Sequence, residues 1–324
     1  MQVLRRTKLL SLLGAALVLA LPATTKAQDW PTREIEIVVG FPTGGPLDIA
    51  ARTMAPALER ELGVQVRVRN RVGASGNDAT REVARAAPDG ATLLLCGPVN
   101  TTNTTLFPEL DFNFSRDVAA AAGIARVPLI VEVHPSVPVR SIAALIAHAR
   151  ANPGRLRVAY AGTGTPQHVA IALFQHMAGI DLQLLPYPGS AQALADLLRG
   201  EADVMFDPAP SSMPHVRAGR LVALATTGPF RAAVLPDLPT VAETLPGYEG
   251  GSWFGLCAPG ATPPAILARL NRAVAGGLSD AAVSSAFERL GGMPMPGTVE
   301  AFAGFIAAET ARYAEIIRTA GIRP

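Results

Sequence analysis

The chain has 324 residues, of which 49% are hydrophobic and 17% are charged, so it can bury a large core and is not a disordered segment. Single cores stop growing near about 250–300 residues, which favours two domains. Residues 1–27 hold four basic residues and no acid, so the rest carries 24 basic against 26 acidic residues. With no Lys/Arg cluster and few aromatic residues, binding to nucleic acid is not expected.

The N-terminal segment has the layout of a secretory signal. Arg5, Arg6 and Lys8 precede an apolar run over residues 9–21, which is too short to cross a hydrocarbon core of about 30 Å as a helix. Small residues at Thr25 and Ala27 fit a cleavage site. We therefore expect a signal peptide over residues 1–27, cleavage near Ala27, and a soluble periplasmic protein without a lipid anchor.

The first part of the mature chain alternates strands and helices. The apolar patterns predict strands over residues 35–39, 64–68 and 91–96, and helices over residues 46–62 and 77–87, the second capped by Asn77. Gly63 is placed to end the first helix. This βαβαβ order is typical of a parallel sheet covered by helices.

The alternation resumes after residue 127 and defines a second unit. Predicted strands cover residues 129–133, 156–160, 182–185 and 203–206, and predicted helices cover 141–150, 166–178 and 190–199, with Ser141 and Ser190 as caps. Amphipathic helices follow over residues 263–275 and 298–320. With linkers at residues 123–127 and 248–253, domain 1 would comprise residues 28–127 and 250–324, and domain 2 residues 128–249. The fold class is α/β, and each domain has a mainly parallel sheet flanked by helices.

Two glycine-containing turns, one in each unit, follow a predicted strand and lead into a helix that starts with proline. Residues 40–48 read GFPTGGPLD and residues 161–168 read AGTGTPQH. Free main-chain N–H groups at such a helix start attract an anion. Tight turns of this kind also need Gly and Thr for conformational reasons alone, but the pairing favours binding. Neither turn contains Lys or Arg, so amides, hydroxyls and water would have to hold the anion.

Catalytic and metal-binding patterns are weak. There is no G-x-S-x-G or H-E-x-x-H motif, and neither turn matches a nucleotide-binding loop. His168 and His176 are eight residues apart on one predicted helix, which is too far to share a metal ion. We expect no enzyme activity, no catalytic residue, no cofactor and no metal site.

The motifs taken together resemble the Bug family, the solute-binding receptors of tripartite tricarboxylate transporters. The resemblance covers about residues 30 to 324 and rests on these segments: IVVGFPTGGPLDIAAR at 37–52, VRNRVGASG at 68–76, APDG at 87–90, NPG at 152–154, PYPG at 186–189, PDLPTVAE at 236–243 and SWFGL at 252–256. The segment that begins with NPG continues to His168 and reads NPGRLRVAYAGTGTPQH over residues 152–168. The resemblance implies a two-domain periplasmic binding protein fold of the Venus-flytrap type, and a receptor that closes on a small carboxylate. The partner would be a membrane permease of one large and one small subunit, and the receptor is expected to be monomeric.

The resemblance also implies which residues contact the ligand. In the family, the two turns supply most contacts, and Asp207 matches a position near the cleft, although it could instead cap a turn before Pro208. Pro188 stands where relatives often have Lys, and Thr163 where they often have Asn. The implied ligand-binding residues are Phe41, Pro42, Thr43, Gly44, Gly45, Asp48, Ser75, Gly162, Thr163, Gly164, Thr165, His168 and Asp207.

Two other function classes stay open at this level. A periplasmic enzyme could use His168 or Asp207 in the same cleft, and a receptor domain could signal to a sensor kinase instead of feeding a permease. A bound ligand recovered chemically unchanged would argue against the enzyme.

The two cysteines are expected to be neighbours. In this fold the strand that returns to domain 1 usually pairs beside the third strand, which would bring Cys257 close to Cys96. Export to an oxidising compartment permits a disulfide between them, but buried cysteines also serve as small apolar residues. Both outcomes remain open at this level.

Overall fold

The computed structural model describes residues 30–162, 164–232, 235–289 and 291–322. The expected signal peptide and Thr163 lie outside the described residues. The strands are β1 Ile35–Val39, β2 Val66–Asn70, β3 Thr92–Cys96, β4 Val118–Val127, β5 Leu129–Val133, β6 Arg157–Tyr160, β7 Gln183–Pro186, β8 Val204–Pro208, β9 Val222–Thr226, β10 Ser252–Pro259 and β11 Met293–Pro294. The helices are α1 Pro46–Leu62, α2 Asn77–Ala84, α3 Pro98–Leu106, α4 Phe114–Asp117, α5 Ile142–Ala151, α6 Pro166–Ala178, α7 Ser190–Arg199, α8 Ala209–Arg217, α9 Pro264–Ser279, α10 Ala281–Arg289 and α11 Val299–Thr319.

The strands form two sheets that share one plan. Sheet 1 has the order β11-β4-β10-β3-β1-β2 and sheet 2 the order β7-β6-β8-β5-β9. In each sheet three strands run parallel, β2-β1-β3 in one and β7-β6-β8 in the other. A strand that follows a crossing between the sheets, β10 or β5, then pairs antiparallel to its two neighbours. The α/β class with two similar units is confirmed, and β1 occupies in sheet 1 the place of β6 in sheet 2.

The residues predicted as linkers belong partly to strands. Residues 123–127 form the end of β4, and Trp253 lies in β10. A Cβ at Gly123 would lie 2.5 Å from Met295 Cε, so close packing explains this glycine. The chain instead crosses between the sheets at Pro128 and again between β9 and β10. The domain boundaries given above stay a prediction.

Several helix starts are as predicted, and two differ. Ser141, Thr165 and Thr298 cap α5, α6 and α11 through their side-chain hydroxyls. Asn77 and Ser190 are the first residues of their helices rather than the caps, because a glycine precedes each and takes the cap position without a side chain.

Helix α3 is absent from the sequence-based prediction. Its sequence PVNTTNTTL is rich in Asn and Thr, which are weak helix formers because they compete for backbone hydrogen bonds. Local side-chain bonds hold it: Asn100 Oδ1 accepts from the Gly97 N–H at 2.9 Å, and Thr101 donates to the Pro98 carbonyl at 2.7 Å. Tertiary context and capping therefore outweigh the propensity.

Apolar side chains cover both faces of each sheet. In sheet 1, α1, α9 and α10 cover one face and α2 and α11 the other. In sheet 2, α5 and α6 lie opposite α7. A further buried cluster joins α3 and α11 to α6 of the second unit through Leu106, Val169, Ala172, Tyr313, Ile316, Ile317 and Ile322. Among the described helices, none has the length and apolar content that a bilayer crossing requires.

Cys96 and Cys257 form a disulfide. β10 pairs with β3 so that Gly255 lies opposite Cys96 and Cys257 opposite Leu94, which places the cysteines diagonally with Cα atoms 6.0 Å apart. Both side chains are fully buried. The expected neighbourhood is therefore confirmed, and the bridge, which the sequence left open, is present.

Candidate ligand-binding site

Loop 1, defined as residues 40–48, joins β1 to α1 and leaves main-chain donors free. Gly44 has φ of 82°, and Gly45 is the N-cap of α1, where no side chain accepts a helix N–H. Pro46 has no N–H, so the next donors of the first turn, on Leu47 and Asp48, lack partners within the helix. Only Gly44 needs the left-handed region, since Gly45 has φ of −75°.

Asp48, the third residue of α1, braces loop 1. It is buried, and its carboxylate accepts from the Gly44 N–H at 2.9 Å and from Arg52 Nε at 2.9 and 3.0 Å. Asn70, at the end of β2, donates to Asp48 Oδ1 and to the Phe41 carbonyl, both at 2.9 Å. The loop is thus held in one shape by side chains on two neighbouring elements.

The charge of Asp48 is neutralised where it lies. Burial by itself would raise the pKa of Asp48, but the hydrogen bonds from Arg52, the Gly44 N–H and Asn70 outweigh it, so the pKa lies below the usual value. The carboxylate therefore stays ionised and paired with the Arg52 guanidinium at neutral pH. An incoming anion would meet a neutral pair beside the helix start.

Ser75 lies in a tight turn beside loop 1. Ala74 and Ser75 have φ of 46° and 55°, in the left-handed region that glycine favours. The following Gly76 touches loop 1: a Cβ at Gly76 would lie 3.1 Å from the Phe41 ring. The structure therefore brings Ser75 to the same sheet edge as loop 1, and the Ser75 side chain is exposed.

Loop 2, defined as residues 161–168, joins β6 to α6 and is braced by neutral groups. Thr165 Oγ1 donates to the Gly162 carbonyl at 2.8 Å and accepts from the His168 N–H at 3.4 Å. His168 Nδ1 accepts from the Gly164 N–H at 3.2 Å. The His168 ring also stacks on Tyr160 with centroids 4.7 Å apart.

The imidazole of His168 is neutral at neutral pH. Its side chain is buried, and burial lowers the pKa of His168 below the usual 6.5. Because Nδ1 accepts from Gly164, the ring proton lies on Nε2. His168 supports the loop backbone through this contact.

Loops 1 and 2 thus use the same geometric device. In each loop a glycine with positive φ, Gly44 or Gly164, donates its N–H to the side chain of the third helical residue, Asp48 or His168. Each helix also begins with proline. Asp48 and His168 are equivalent in position and in their bond to the loop, and they differ in charge.

Asp207 lies within β8, so it does not follow the strand as predicted. It is opposite Ile130, and its side chain is fully buried. Oδ2 accepts from the hydroxyls of Ser211 and Ser212 at the start of α8. Burial raises the pKa of Asp207 to about 6, against the hydrogen bonds from Ser211, Ser190 and Ser212 that lower it.

Glu132 is a second buried acid near Asp207, and the sequence analysis found no such pair. It lies on β5, diagonal to Asp207 across the β5–β8 register. Burial and the neighbouring Asp207 carboxyl raise the pKa of Glu132 well above its usual value. Within the described part of the chain, neither Glu132 oxygen nor Asp207 Oδ1 has a hydrogen-bond partner in the structure. A single acid inside the apolar run LIVEV could have indicated a buried carboxyl at Glu132. Its neighbour Asp207 could not be predicted, because that contact depends on the pairing of β5 with β8.

Other functional candidates also escaped the sequence analysis. Arg52 and Asn70 hold loop 1, and Gln167 donates to Ser190 Oγ at 3.0 Å beside loop 2. Asn70 ends β2 next to β1, and the carboxyl ends of parallel strands share one edge of a sheet. This edge position was the available signal for Asn70.

Two α/β units linked by two chain crossings, each with a glycine turn and a proline-started helix at the end of its first parallel strand, define a solute-binding receptor of the periplasmic binding protein class. The family model "Tripartite tricarboxylate transporter family receptor" (TctC) matches residues 50–322. The chain therefore belongs to the TctC family, which contains the Bug proteins and consists of solute-binding receptors rather than enzymes.

Relatives of this family cover nearly the whole chain. Protein BugT of Bordetella pertussis is 35% identical over 322 residues, which is 98% of each chain. A solved structure of "R. palustris Rpa4515 with adipate" matches with a TM-score of 0.82 and 36% identity, covering 91% of this chain and 100% of that one. "MatC (Rpa3494) from Rhodopseudomonas palustris with bound malate" matches with a TM-score of 0.77 and 30% identity, covering 89% and 99%.

Proposed function

We propose that the protein captures a small carboxylate between its two units and delivers it to the permease of a tripartite tricarboxylate transporter. It would work in the periplasm, after cleavage of the signal peptide near Ala27. The proposed contacts come from loop 1, the Ser75 turn and loop 2: Phe41, Pro42, Thr43, Gly44, Gly45, Asp48, Ser75, Gly162, Thr163, Gly164, Thr165 and His168. Asp207 would support this surface from below.

The observation that carries the proposal is the matched pair of loops. The start of α1 has no side-chain cap, and the acid beside it is paired with Arg52. Helix N-termini attract anions through unpaired N–H groups and the helix dipole. At α6 the Thr165 side chain occupies the His168 N–H, which leaves the Gln167 N–H of the first turn without a helical partner. One helix start in each unit fits a ligand with a carboxylate at each end.

The relatives narrow the ligand class in the same direction. One related structure holds adipate and another holds malate, and both compounds are dicarboxylates. Neither loop of this chain has a basic side chain, so main-chain donors and water would provide the contacts. We therefore favour a dicarboxylate over a bulky tricarboxylate for this chain.

Ligand capture would close the cleft by rotation at the two crossings between the sheets. The ligand contacts both loops only in the closed form, so it would shift an existing open–closed equilibrium toward that form. Tyr313, in the buried cluster between α11 and α6, donates to the Gly251 carbonyl at the second crossing, and we expect this cluster to act as the pivot.

The test is to recover any co-purified solute by native mass spectrometry and then titrate the emptied protein with adipate, malate and butyrate in a calorimeter. We expect saturable binding of a dicarboxylate at one site per chain, chemically unchanged after release, and much weaker binding of butyrate. Equal binding of butyrate would contradict the two-loop arrangement, and recovery of a neutral solute alone would overturn the proposed ligand class.

A further inference from the structure

A cavity of about 420 Å³ lies on the flank of sheet 1, between α2, α3 and the segment that leads into α4. This volume is within the range of about 300–1,000 Å³ that small-molecule sites occupy. Neither loop 1 nor loop 2 contributes to its lining. The cavity is therefore distinct from the proposed carboxylate site.

Buried amide side chains form one wall of this cavity. Asn77, Asn100 and Asn103 line it and are between 3% and 6% exposed. Asn103 Nδ2 donates to Asn77 Oδ1 at 2.9 Å, and Asn100 Nδ2 donates to Thr80 Oγ1 at 2.8 Å. These bonds fix the orientation of each amide.

The fixed amides leave hydrogen-bonding capacity unused. Among the described residues, no partner is found for Asn77 Nδ2 or for Asn103 Oδ1. A spare donor and a spare acceptor thus belong to neighbouring side chains in the cavity wall. Neither of these two atoms is fully enclosed by protein, so a molecule that enters the cavity can reach both.

The rest of the lining combines apolar side chains, the neutral polar groups of Thr80, Thr104 and Asn113, and charged groups that already have partners. Phe107, Phe112 and Phe114 line the cavity. Asp111 pairs with Arg81 and Arg85, and Arg116 pairs with Asp117. A charged ligand would have to break one of these ion pairs to find an opposite charge. A neutral ligand can bind while all of them stay intact.

We propose that the cavity is a second small-molecule site for a neutral compound with several hydroxyl groups, about the size of a pentose or hexose. Hydroxyl groups donate and accept together, which matches the spare Asn77 donor beside the spare Asn103 acceptor. The C–H surface of such a ligand packs against the aromatic side chains. This inference does not depend on the proposed carboxylate function.

The site borders the carboxylate cleft through one residue. Asn103 Nδ2 also donates to the carbonyl of Ser75 at 3.0 Å, and Ser75 belongs to the tight turn beside loop 1. A ligand on Asn103 would therefore lie next to this turn.

The test uses xylose, glucose and protonated glucosamine as probes against ¹⁵N-labelled full-length mature protein. We expect saturable shifts of the side-chain amide signals of Asn77, Asn100 and Asn103 with xylose or glucose. Glucosamine should bind more weakly. No saturable shift with either neutral sugar overturns the proposal, and glucosamine binding as tightly as glucose overturns the neutral-ligand argument.

Two variants localise the binding. Thr104→Phe fills the cavity without removing any amide, and it should abolish the shifts, while Thr53→Phe on α1, a half-buried helical threonine away from the cavity, should leave them intact. Asn77→Asp keeps the acceptor that Asn103 uses and replaces the spare donor, so it should weaken sugar binding about tenfold, the equivalent of one hydrogen bond. Unchanged sugar affinity in Thr104→Phe, with melting behaviour like that of Thr53→Phe, would place the sugar elsewhere and refute the site.

Discussion

Loops 1 and 2 solve one problem with different chemistry. Each glycine N–H is held by the third residue of the following helix, an ionised Asp48 in loop 1 and a neutral His168 in loop 2. Asp48 is compatible with an anion site only because Arg52 neutralises it, whereas His168 needs no counter-ion. Each loop therefore requires a hydrogen-bond acceptor at the third residue of its helix, whether charged or neutral. Where the acceptor is charged, as in Asp48, a neighbouring arginine neutralises it.

The loops also differ in what surrounds their glycines. A Cβ at Gly44 would meet nothing within 4 Å, whereas a Cβ at Gly164 would lie 2.7 Å from Leu106 Cδ1 at the end of α3. Loop 2 therefore packs against Leu106 of the first unit at Gly164, whereas the space around the Gly44 position of loop 1 is empty.

The largest expected effect comes from valine at these glycines. Gly44→Val imposes backbone strain of about 1–3 kcal/mol and should weaken carboxylate binding at least about tenfold. Gly164→Val adds the clash with Leu106 and should abolish binding. Calorimetry with the dicarboxylate that binds best measures both.

The control for the glycine variants is Gly45→Ala. Gly45 has φ of −75°, and its added Cβ would lie 3.2 Å from the Pro42 carbonyl oxygen, so a small shift should accommodate it. An affinity loss in Gly45→Ala as large as that in Gly164→Val would contradict the distinction drawn between strain and contact.

Sheet 1 is cross-linked by the disulfide between β3 and β10, and sheet 2 contains no cysteine. Changing both residues, Cys96→Ala with Cys257→Ala, should lower the free energy of unfolding by roughly 2–5 kcal/mol, because the bridge closes a long loop of the unfolded chain. Denaturant unfolding measures the loss. Free thiols in the non-reduced, denatured wild-type protein would contradict the bridge.

Sheet 2 carries instead a buried acid, Glu132, whose stability effect should depend on pH. The folded-state pKa of Glu132 is raised above 4.5, so the folded protein binds this proton more tightly, and stability is lost as pH rises from about 4.5 through the raised pKa. Glu132→Gln removes the titration. It should stabilise the protein at neutral pH relative to wild type, and the difference should shrink as pH falls through the raised pKa toward 4.5.

The matched control for Glu132→Gln is Glu309→Gln in the sheet 1 unit. Glu309 is also buried, but it pairs with Arg312 at 2.9 Å. Its replacement should destabilise the protein at neutral pH, because it leaves a largely buried guanidinium without its counter-ion. The same sign of effect in both variants would refute the contrast between an unpaired and a paired acid.

A smaller effect should separate the two loop braces by pH. Protonation removes the Nδ1 acceptor of His168, whose pKa is lowered from 6.5. The stabilising contribution of neutral His168 is therefore complete above about pH 6.5 and is lost as pH falls through the lowered pKa. Ligand affinity should weaken over the same interval, while Asp48, with a pKa lowered from 3.8, stays ionised.

The variant His168→Asn tests this assignment, because an amide oxygen can accept from Gly164 and does not titrate in this range. The pH dependence of affinity between neutral pH and about pH 5 should flatten in this variant. A profile identical to that of wild type would show that His168 is not the titrating group.

The smallest signal is optical. Trp253 lies beside the crossing into sheet 1, is 2% exposed and packs edge-on against Phe302 and Phe305. Closure should change its surroundings modestly and shift the fluorescence emission upon ligand binding. The shift should disappear in Trp253→Phe and persist in Trp30→Phe, and the reverse pattern would contradict the placement of the hinge.

The sequence predicted the elements that local patterns determine. The strand before loop 1, the proline starts of α1 and α6, and the glycine end of α1 follow from periodicity and capping alone. The Glu132–Asp207 pair and the brace of Asn70 depend on which strands become neighbours, which no local pattern encodes. The polar side chains of Asp48 and His168 made them candidates for ligand contact. In the folded protein each instead accepts a hydrogen bond from the glycine of its own loop, which the sequence did not indicate.

The pairing of β4 with β10 has a consequence for the order in which the chain assembles. Val127 lies opposite Ser252, although residues 128–251 intervene, and closing so long a loop of unfolded chain is entropically costly. Sheet 2 removes this cost, since β5 and β9, its first and last strands, pair directly and bring the two ends together. Sheet 2 should thus form before β10 joins β3, so oxidation of Cys96 and Cys257 marks one of the last steps of folding.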